Sequence, residues 1–353
     1  MPTVPDRPRV TVVVATYGRP DALVCALRSV RAQTCPDWRL VVVGDACGDA
    51  TGAALAPFLG DRRIAYANLP WRCGEQALPN SAAMALADSD FIAFLNHDDL
   101  WLPDHLAVAI RQLEATGADF FVGRSAWVWD DAEAPDVLPP FASLSPRPRS
   151  FTAMFRTGLH YIEPVSAWVV RTDLARRVGP WRRSRDLFRT PIHDWAIRAG
   201  RRGARLAEAE AVTCIKFENH WRRPERRYET PAHAQEAVLR AIEDPAGRPG
   251  LEDCLRGLLD DPGAPGRRMR LSLAEPGNQV SAWLARGLLN RASARLYFLT
   301  GLDAYGLYCI LTGVEKGRRM RKTLKMRTGE TDLAPPPLAR LVDFLRTALR
   351  DRA

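Results

Sequence analysis

The chain has 353 residues, 46% apolar and 26% charged, enough for one large domain with a sizeable core plus an appendage. Its formal net charge is +9, and "KGRRMRKTLKMR" at residues 316–327 supplies seven basic residues and no acid. Subtracting those seven from +9 leaves about +2 elsewhere, which argues against a basic body built for nucleic acid and for a local contact with phosphate, lipid headgroups or an acidic partner.

Seven cysteines, odd in number and without a CxxC pair, argue against a disulfide framework and a zinc ribbon. The opening "MPTVPDRPRVTVVVAT" lacks a basic region leading into an apolar run and cleavage site. No stretch approaches the roughly 18 to 20 apolar residues of a bilayer span; "AYGLYCILTGV" is too short. The expectation is a soluble, cytoplasmic chain, with peripheral contact at a membrane surface left open.

Short β-branched runs alternate with helical patterns through the first half. "RVTVVVAT" (9–16) has buried-strand length, and Pro20 suits the first turn of a helix whose Leu23, Val24, Leu27 and Val30 share one face. "WRLVVVGD" (38–45) is a second strand, followed by loop chemistry in "ACGDATG". A helix over 51–59, a strand over 62–69, a helix over 79–87 and a strand at "DFIAFLN" (90–96) follow. The last delivers the adjacent carboxylates Asp98 and Asp99. A helix from Pro103 to about residue 116 leads into the strand "ADFFVGRSAWVW". This alternation predicts an α/β domain with a mixed, mostly parallel sheet and helices on both faces. Ligands bind beyond the carboxyl ends of such strands, and Asp45 and the Asp98–Asp99 pair all fall at that edge.

Residues 130–150 are rich in Pro and Ser without periodicity, and read as a loop inside the domain. "SAWVVRTDLARRVGPW" (166–181) resumes strand and helix, a helix near 194–200 follows, and a strand near 211–217 completes the domain. Thr230-Pro231 is a helix-opening pair, and strand signals vanish beyond it. The expected division is residues 1–229 and a helical domain over 230–353. The latter carries the basic segment and a terminal amphipathic helix with Leu338, Leu341, Val342, Leu345 and Leu349 on one stripe.

Together "VTVVVATYGRPDALVCALRSVRAQTCPDWRLVVVGDACGDAT", "FIAFLNHDDLWLPDHL", "SAWVVRTDLARRVGPW" and "HDWAIRAG" resemble the successive motifs of family 2 glycosyltransferases, over roughly residues 9–220. The resemblance implies the GT-A fold, a Rossmann-like sheet serving a nucleoside-diphosphate-sugar donor. It implies that Ala15, Tyr17 and Arg19 lie at the base and ribose of the donor nucleotide and that Asp45 hydrogen-bonds the base edge, with a lean to uridine. It further implies Asp98 on the ribose side, Asp99 as ligand of a divalent metal, manganese or magnesium, and Asp194 as general base of an inverting transfer to a hydroxyl acceptor. His220 falls where some relatives carry a His near the metal or diphosphate. The sequence departs from the pattern at Asn96, where an Asp is usual, at Pro79, where an Arg is usual, and in the "ACGDA" loop.

The chemistry asks for these residue types. Hard divalent cations take oxygen ligands and bridge substrate phosphates, so carboxylates at a strand end suffice, and the cation relieves their repulsion. The metal acts as a Lewis acid on the leaving diphosphate, and a carboxylate at a helix start accepts the acceptor's proton. Arg182, Arg183, Arg185 and Arg189 offer cations to an anionic acceptor or the diphosphate.

Plainer readings stand beside these. Asp45 is also a common turn residue, Asp194 a helix cap, His97 a wall of the site, His220 a hydrogen-bonded histidine and Tyr17 a core residue. The basic segment also fits a solvated face. The terminal helix fits packing on its own domain, a membrane surface or a homo-oligomer. Among rival functions, a sugar nucleotidyltransferase would want a Gly-rich phosphate loop, and "ATYGRPD" offers one glycine. A nucleic-acid-binding protein using the C-terminal segment would bind with steep salt dependence. A degenerate transferase would bind donor without turnover.

Overall fold

Val-rich runs without alternation make strands buried on both faces, as a parallel sheet between helix layers requires. The computed structural model describes residues 7–129, 134–145, 164–188, 190–218, 231–261, 299–301, 304–318, 321 and 333–350. In it β1 (Val10–Thr16), β2 (Trp38–Asp45) and β3 (Ile64–Leu69) pair in parallel, and β4 (Phe91–Phe94) joins the other side of β1. The chain thus leaves β1 in one direction and returns on the opposite side, which makes the β1/β4 boundary a topological switch point.

Beyond β4 the pairing is mixed. Strands β5 (Leu100–Trp101), β6 (Phe120–Trp129), β7 (Phe141–Leu144), β8 (Trp168–Arg171) and β9 (Leu206–Glu218) extend the sheet in the order β3-β2-β1-β4-β8-β6-β9-β5, with β7 on β6. The β4–β8, β8–β6 and β9–β5 pairs are antiparallel and β6–β9 is parallel, so the expected mixed α/β sheet is present.

Helix α1 (Pro20–Arg31) starts at Pro20 and buries Leu23, Leu27 and Val30, the face its spacing predicts. Helices α2 (Asp49–Leu55), α3 (Ala77–Met84) and α4 (His105–Thr116) follow, and Gly117 closes α4 in the left-handed conformation that an L side chain resists. Several boundaries differ from expectation. The helix expected over 51–59 stops at Leu55 and tightens into a 3₁₀ turn at Ala56–Phe58, where Pro57 supplies no amide donor. The helix expected from residue 79 begins at Ala77, because Pro79 is tolerated within a first turn. Inside the Pro-rich stretch, β7 pairs antiparallel with β6; four residues are too few for periodicity to reveal.

Helices α5 (Thr172–Val178) and α6 (Pro191–Arg201) precede β9, and α7 (His233–Glu243), α8 (Arg248–Asp260), α9 (Ala304–Leu311) and α10 (Leu338–Leu349) follow it. Helix α7 lies on α1, where Arg28 pairs with Glu236 at 3.1 Å and with Glu243, and its Val238 and Leu239 are fully buried with Leu100, Ile215 and Phe217. Helix α10 packs on α3 and β3. Its Leu341 and Leu345 join the main core, and Leu338, Val342 and Leu349 pack against it, so the terminal stripe faces inward. Burying each of the two leucines is worth about 1.5–3 kcal/mol. Among the described residues no helix is long and apolar enough to cross a membrane.

Candidate active site

The switch point gathers three strand ends. At the end of β1, Gly18 takes φ 64°, a conformation suited to glycine, and turns the chain so that Arg19 points back into the fold. At the end of β4, His97 Nδ1 accepts the Tyr17 amide at 3.2 Å and lies 3.1 Å from Thr16 Oγ1. Accepting through Nδ1 leaves the ring proton of the neutral imidazole on Nε2. His97 therefore ties the two central strand ends together. Ala15 is half-buried, one residue before the end of β1.

The adjacent carboxylates each face their own cation. Asp98 lies 3.7 Å from the Arg19 guanidinium, and both side chains are only 2% exposed. Asp99 is fully buried and meets Lys216 Nζ at 3.2 Å. Asp99 Oδ1 also accepts the Phe217 amide at 3.3 Å, while Oδ2 accepts Asn96 Nδ2 at 2.9 Å and the Ser166 hydroxyl. Burial pushes the Asp99 carboxyl up from its ordinary range, and Lys216 and the Ser166 and Asn96 donors pull it back.

A carboxylate has about four acceptor positions, and Asp99, the expected metal ligand, accepts from four donors, two on each oxygen. Its donor set fits a structural clamp joining β4, β9 and the Val165–Ala167 turn. Asp98 pairs with Arg19, and Asn96 donates through its nitrogen, which leaves an amide oxygen of the hard type that divalent ions accept. Among the described residues no group of three His, Cys, Asp or Glu side chains converges as a metal site. His220 lies outside the described residues, as does Arg189.

Asp45, at the end of β2, accepts the Gly74 amide at 2.8 Å, the Cys73 amide, and Arg72 Nη1 at 3.1 Å. Burial pushes its carboxyl up, and those amides and Arg72 oppose the shift. The Arg72 guanidinium also lies 3.1 Å from the centre of the Tyr17 ring, a cation–π contact. Tyr17, Arg72 and Asp45 thus form one stack beside the switch point. The loop after β2 is held by Asn68, which accepts the Cys47 amide and donates to the Cys47 carbonyl, each at 2.8 Å.

Asp194 sits in the first turn of α6, and the cap of that helix is Thr190, not Asp194. Arg198 Nε donates to Asp194 Oδ2 at 2.8 Å, while its other nitrogens donate to the Val178 and Pro180 carbonyls at 2.7 and 2.8 Å. A buried guanidinium with three fixed acceptors holds the carboxylate in one orientation. Arg182 approaches the other oxygen at 3.6 Å from an exposed position. The neighbouring Trp195 is fully buried and stacks on Trp181 at 6.1 Å, and Trp181 lies 5.4 Å from Phe94, the last residue of β4. An aromatic core therefore connects the start of α6 to the strand that carries Asp98.

Arg72, Lys216, Ser166, Asn68 and Arg198 escaped the sequence reading. Lys216 left one signal, a lone cation breaking the apolar alternation of "VTCIKFE". Ser166 and Arg72 left none, because partners 67 and 27 residues away decide their roles.

Residues 11–178 match the family described as Glycosyl transferase family 2. The succinoglycan biosynthesis protein ExoO of Rhizobium meliloti is 34% identical over 141 residues, 37% of this chain and 40% of that protein. Protein CgeD of Bacillus subtilis is 29% identical over 110 residues, 30% of this chain and 26% of its own. The Escherichia coli UDP-Glc:alpha-D-GlcNAc-diphosphoundecaprenol beta-1,3-glucosyltransferase WfgD is 28% identical over 115 residues, 33% of this chain and 45% of its own. The chain thus spans between 26% and 45% of the length of these relatives. Among solved structures, S. aureus TarS 1–349 in complex with UDP-GlcNAc superposes with TM-score 0.48 at 16% identity, over 86% of this chain and 92% of that one. Mannosyltransferase PcManGT from Pyrobaculum calidifontis, in complex with GDP-Man and Mn²⁺, gives 0.45 at 17%, over 86% and 90%. The chain carries a family 2 glycosyltransferase domain over residues 11–178; Asp194, Lys216 and α10 lie beyond the matched span.

Proposed function

We propose that the chain transfers a sugar from a nucleoside-diphosphate donor, a UDP-sugar by preference, to a hydroxyl of a glycan acceptor, with inversion at the anomeric carbon. The observation that carries this reading is the grouping of Tyr17, Arg72 and Asp45 beside the Arg19–Asp98 pair at the switch point. An aromatic face, a base-edge carboxylate and a ribose- or phosphate-side pair are what a nucleotide asks for in that order. The names of ExoO and WfgD support a glycan acceptor.

In this reading the Tyr17–Arg72 stack packs against the base and Asp45 accepts from its imide edge. Asp98, with the Asn96 amide oxygen, would hold a manganese or magnesium ion, which supplies Lewis-acid stabilisation of the departing diphosphate. Asp99 keeps the Asp98 turn in place through its four donors. Asp194, oriented by Arg198, takes the proton of the acceptor hydroxyl as that oxygen attacks opposite the leaving group. The soluble, peripheral placement of such an enzyme beside a lipid-linked acceptor is part of the same proposal.

Calorimetric titration with UDP and GDP, each with manganese and with chelator, tests it on the wild type, Asp98→Asn and Asp194→Asn. The expected result is metal-enhanced UDP binding that Asp98→Asn loses and Asp194→Asn keeps. Absence of binding by either nucleotide, with or without metal, refutes the donor site.

A further inference from the structure

Helix α10 lies more than 250 residues from Trp71 in sequence, yet grips the loop that carries Arg72. Phe344 meets the Trp71 ring edge-on at 5.8 Å, and the Arg340 guanidinium covers the same ring at 4.7 Å. Leu341 and Leu345, one turn apart and fully buried, fix the helix on α3 and β3, so Phe344 and Arg340 are held rather than trailing. The next residue, Arg72, is the one that reaches Asp45 and covers Tyr17. The loop is held from a third side by Glu75, which accepts the Ser184 amide at 3.0 Å and the Ser184 hydroxyl. The residue beside it, Arg183, in turn donates to the Leu333 carbonyl, five residues ahead of α10, at 3.3 Å.

We propose that α10 is a positioning element of the nucleotide site: through Trp71 it sets where Arg72 stands, and so how Tyr17 and Asp45 present themselves to a nucleoside diphosphate. The loop is short and its backbone amides at Cys73 and Gly74 are committed to Asp45, so a shift of Trp71 is transmitted rather than absorbed. The C-terminal segment then governs donor affinity without touching the donor, and Phe344 and Arg340 are positioning residues. The inference rests on the donor-site reading above.

The test uses the full-length chain. Phe344→Ala, Phe344→Tyr, Arg340→Ala and Arg346→Ala are compared with Asp45→Ala by UDP titration, donor KM and kcat, and urea unfolding. Expected is a loss of UDP affinity of about 10-fold in Phe344→Ala and about 3-fold in Arg340→Ala, the sizes of a lost aromatic pair and a lost exposed cation–π contact. Donor KM rises by the same factors with kcat unchanged, and Phe344→Tyr restores affinity. Arg346→Ala, on the exposed side of α10, stays at wild type. Unfolding at lower urea with UDP affinity within twofold of wild type in both Phe344→Ala and Arg340→Ala, while Asp45→Ala abolishes binding, overturns the inference and leaves the donor site standing. A wild type that binds no nucleotide overturns the donor reading and this one with it.

Discussion

Replacing Lys216 by Met removes the ammonium from a carboxylate that has no solvent exposure. Breaking a buried ion pair from one side costs about 3–5 kcal/mol, because the remaining charge is left uncompensated. Asn96, Ser166 and Phe217 still donate to Asp99, and the Lys216 side chain is itself 13% exposed, so the low end applies, about 3 kcal/mol. In a domain of this size that lowers Tm by about 6–12 °C. The loss depends on pH with a definite sign. Without Lys216 the folded carboxyl is pushed further above its unfolded value, so the neutral acid fits the site. The deficit is then small below about pH 4 and fully developed as pH rises through the raised folded value. Asp99→Asn in the Lys216→Met background removes the stranded charge and recovers most of the loss, a coupling that a double-mutant cycle in urea reads directly. A single variant within about 0.5 kcal/mol of wild type, or a double variant as unstable as the sum of the singles, would refute the clamp. Such a result would return Asp99 to the metal.

Three further outcomes follow from particular contacts. His105 is fully buried, stacks on Trp101 at 4.5 Å, and burial lowers its pKa to about 3. Its folded value lies below the unfolded one, so stability falls as pH drops below about 6.5, by about 2 kcal/mol at pH 5, and urea unfolding of His105→Gln should lack that share of the slope. Arg198→Lys keeps a charge near Asp194 but cannot reach three acceptors at once; kcat is expected to drop about 10²-fold with donor KM unchanged, and equal losses in both would show that the arginine only supports the fold. A Cβ on Gly44 would lie 2.5 Å from Asn68 Oδ1, so Gly44→Ala should cost about 1–3 kcal/mol by chemical denaturation, and Asn68→Ala in the same chain should relieve the clash.

The legible part of this protein is the part written locally. The Val-rich run before Tyr17 and the apolar run before Asn96 announce their strands, and chain order alone brings their ends to one edge. Helix α1 was readable because Leu23, Leu27 and Val30 repeat at helical spacing and Pro20 marks the start. What stayed hidden depends on pairs formed across the fold. Strand β5 is two residues long and exists because Leu100 and Trp101 lie against Ile215 and Cys214. The inward stripe of α10 looked the same in sequence as one meant for a membrane or a partner; only the apolar ground offered by α3 and β3 decides between them.

The same limit explains the two carboxylates. In sequence Asp98 and Asp99 are equivalent neighbours, and motif resemblance alone assigned the metal to the second. In the fold they point into different surroundings. Asp99 has the Lys216 ammonium at 3.2 Å and three further donors, and Asp98 lies 3.7 Å from the Arg19 guanidinium. Each carboxylate has a cation near it, and burial with the neighbouring Asp98 charge still raises the Asp99 carboxyl. The surroundings of the two residues, rather than their order in the sequence, tell them apart: Asp99 is tied to β9 and the Val165–Ala167 turn, whereas Asp98 faces the end of β1 through Arg19.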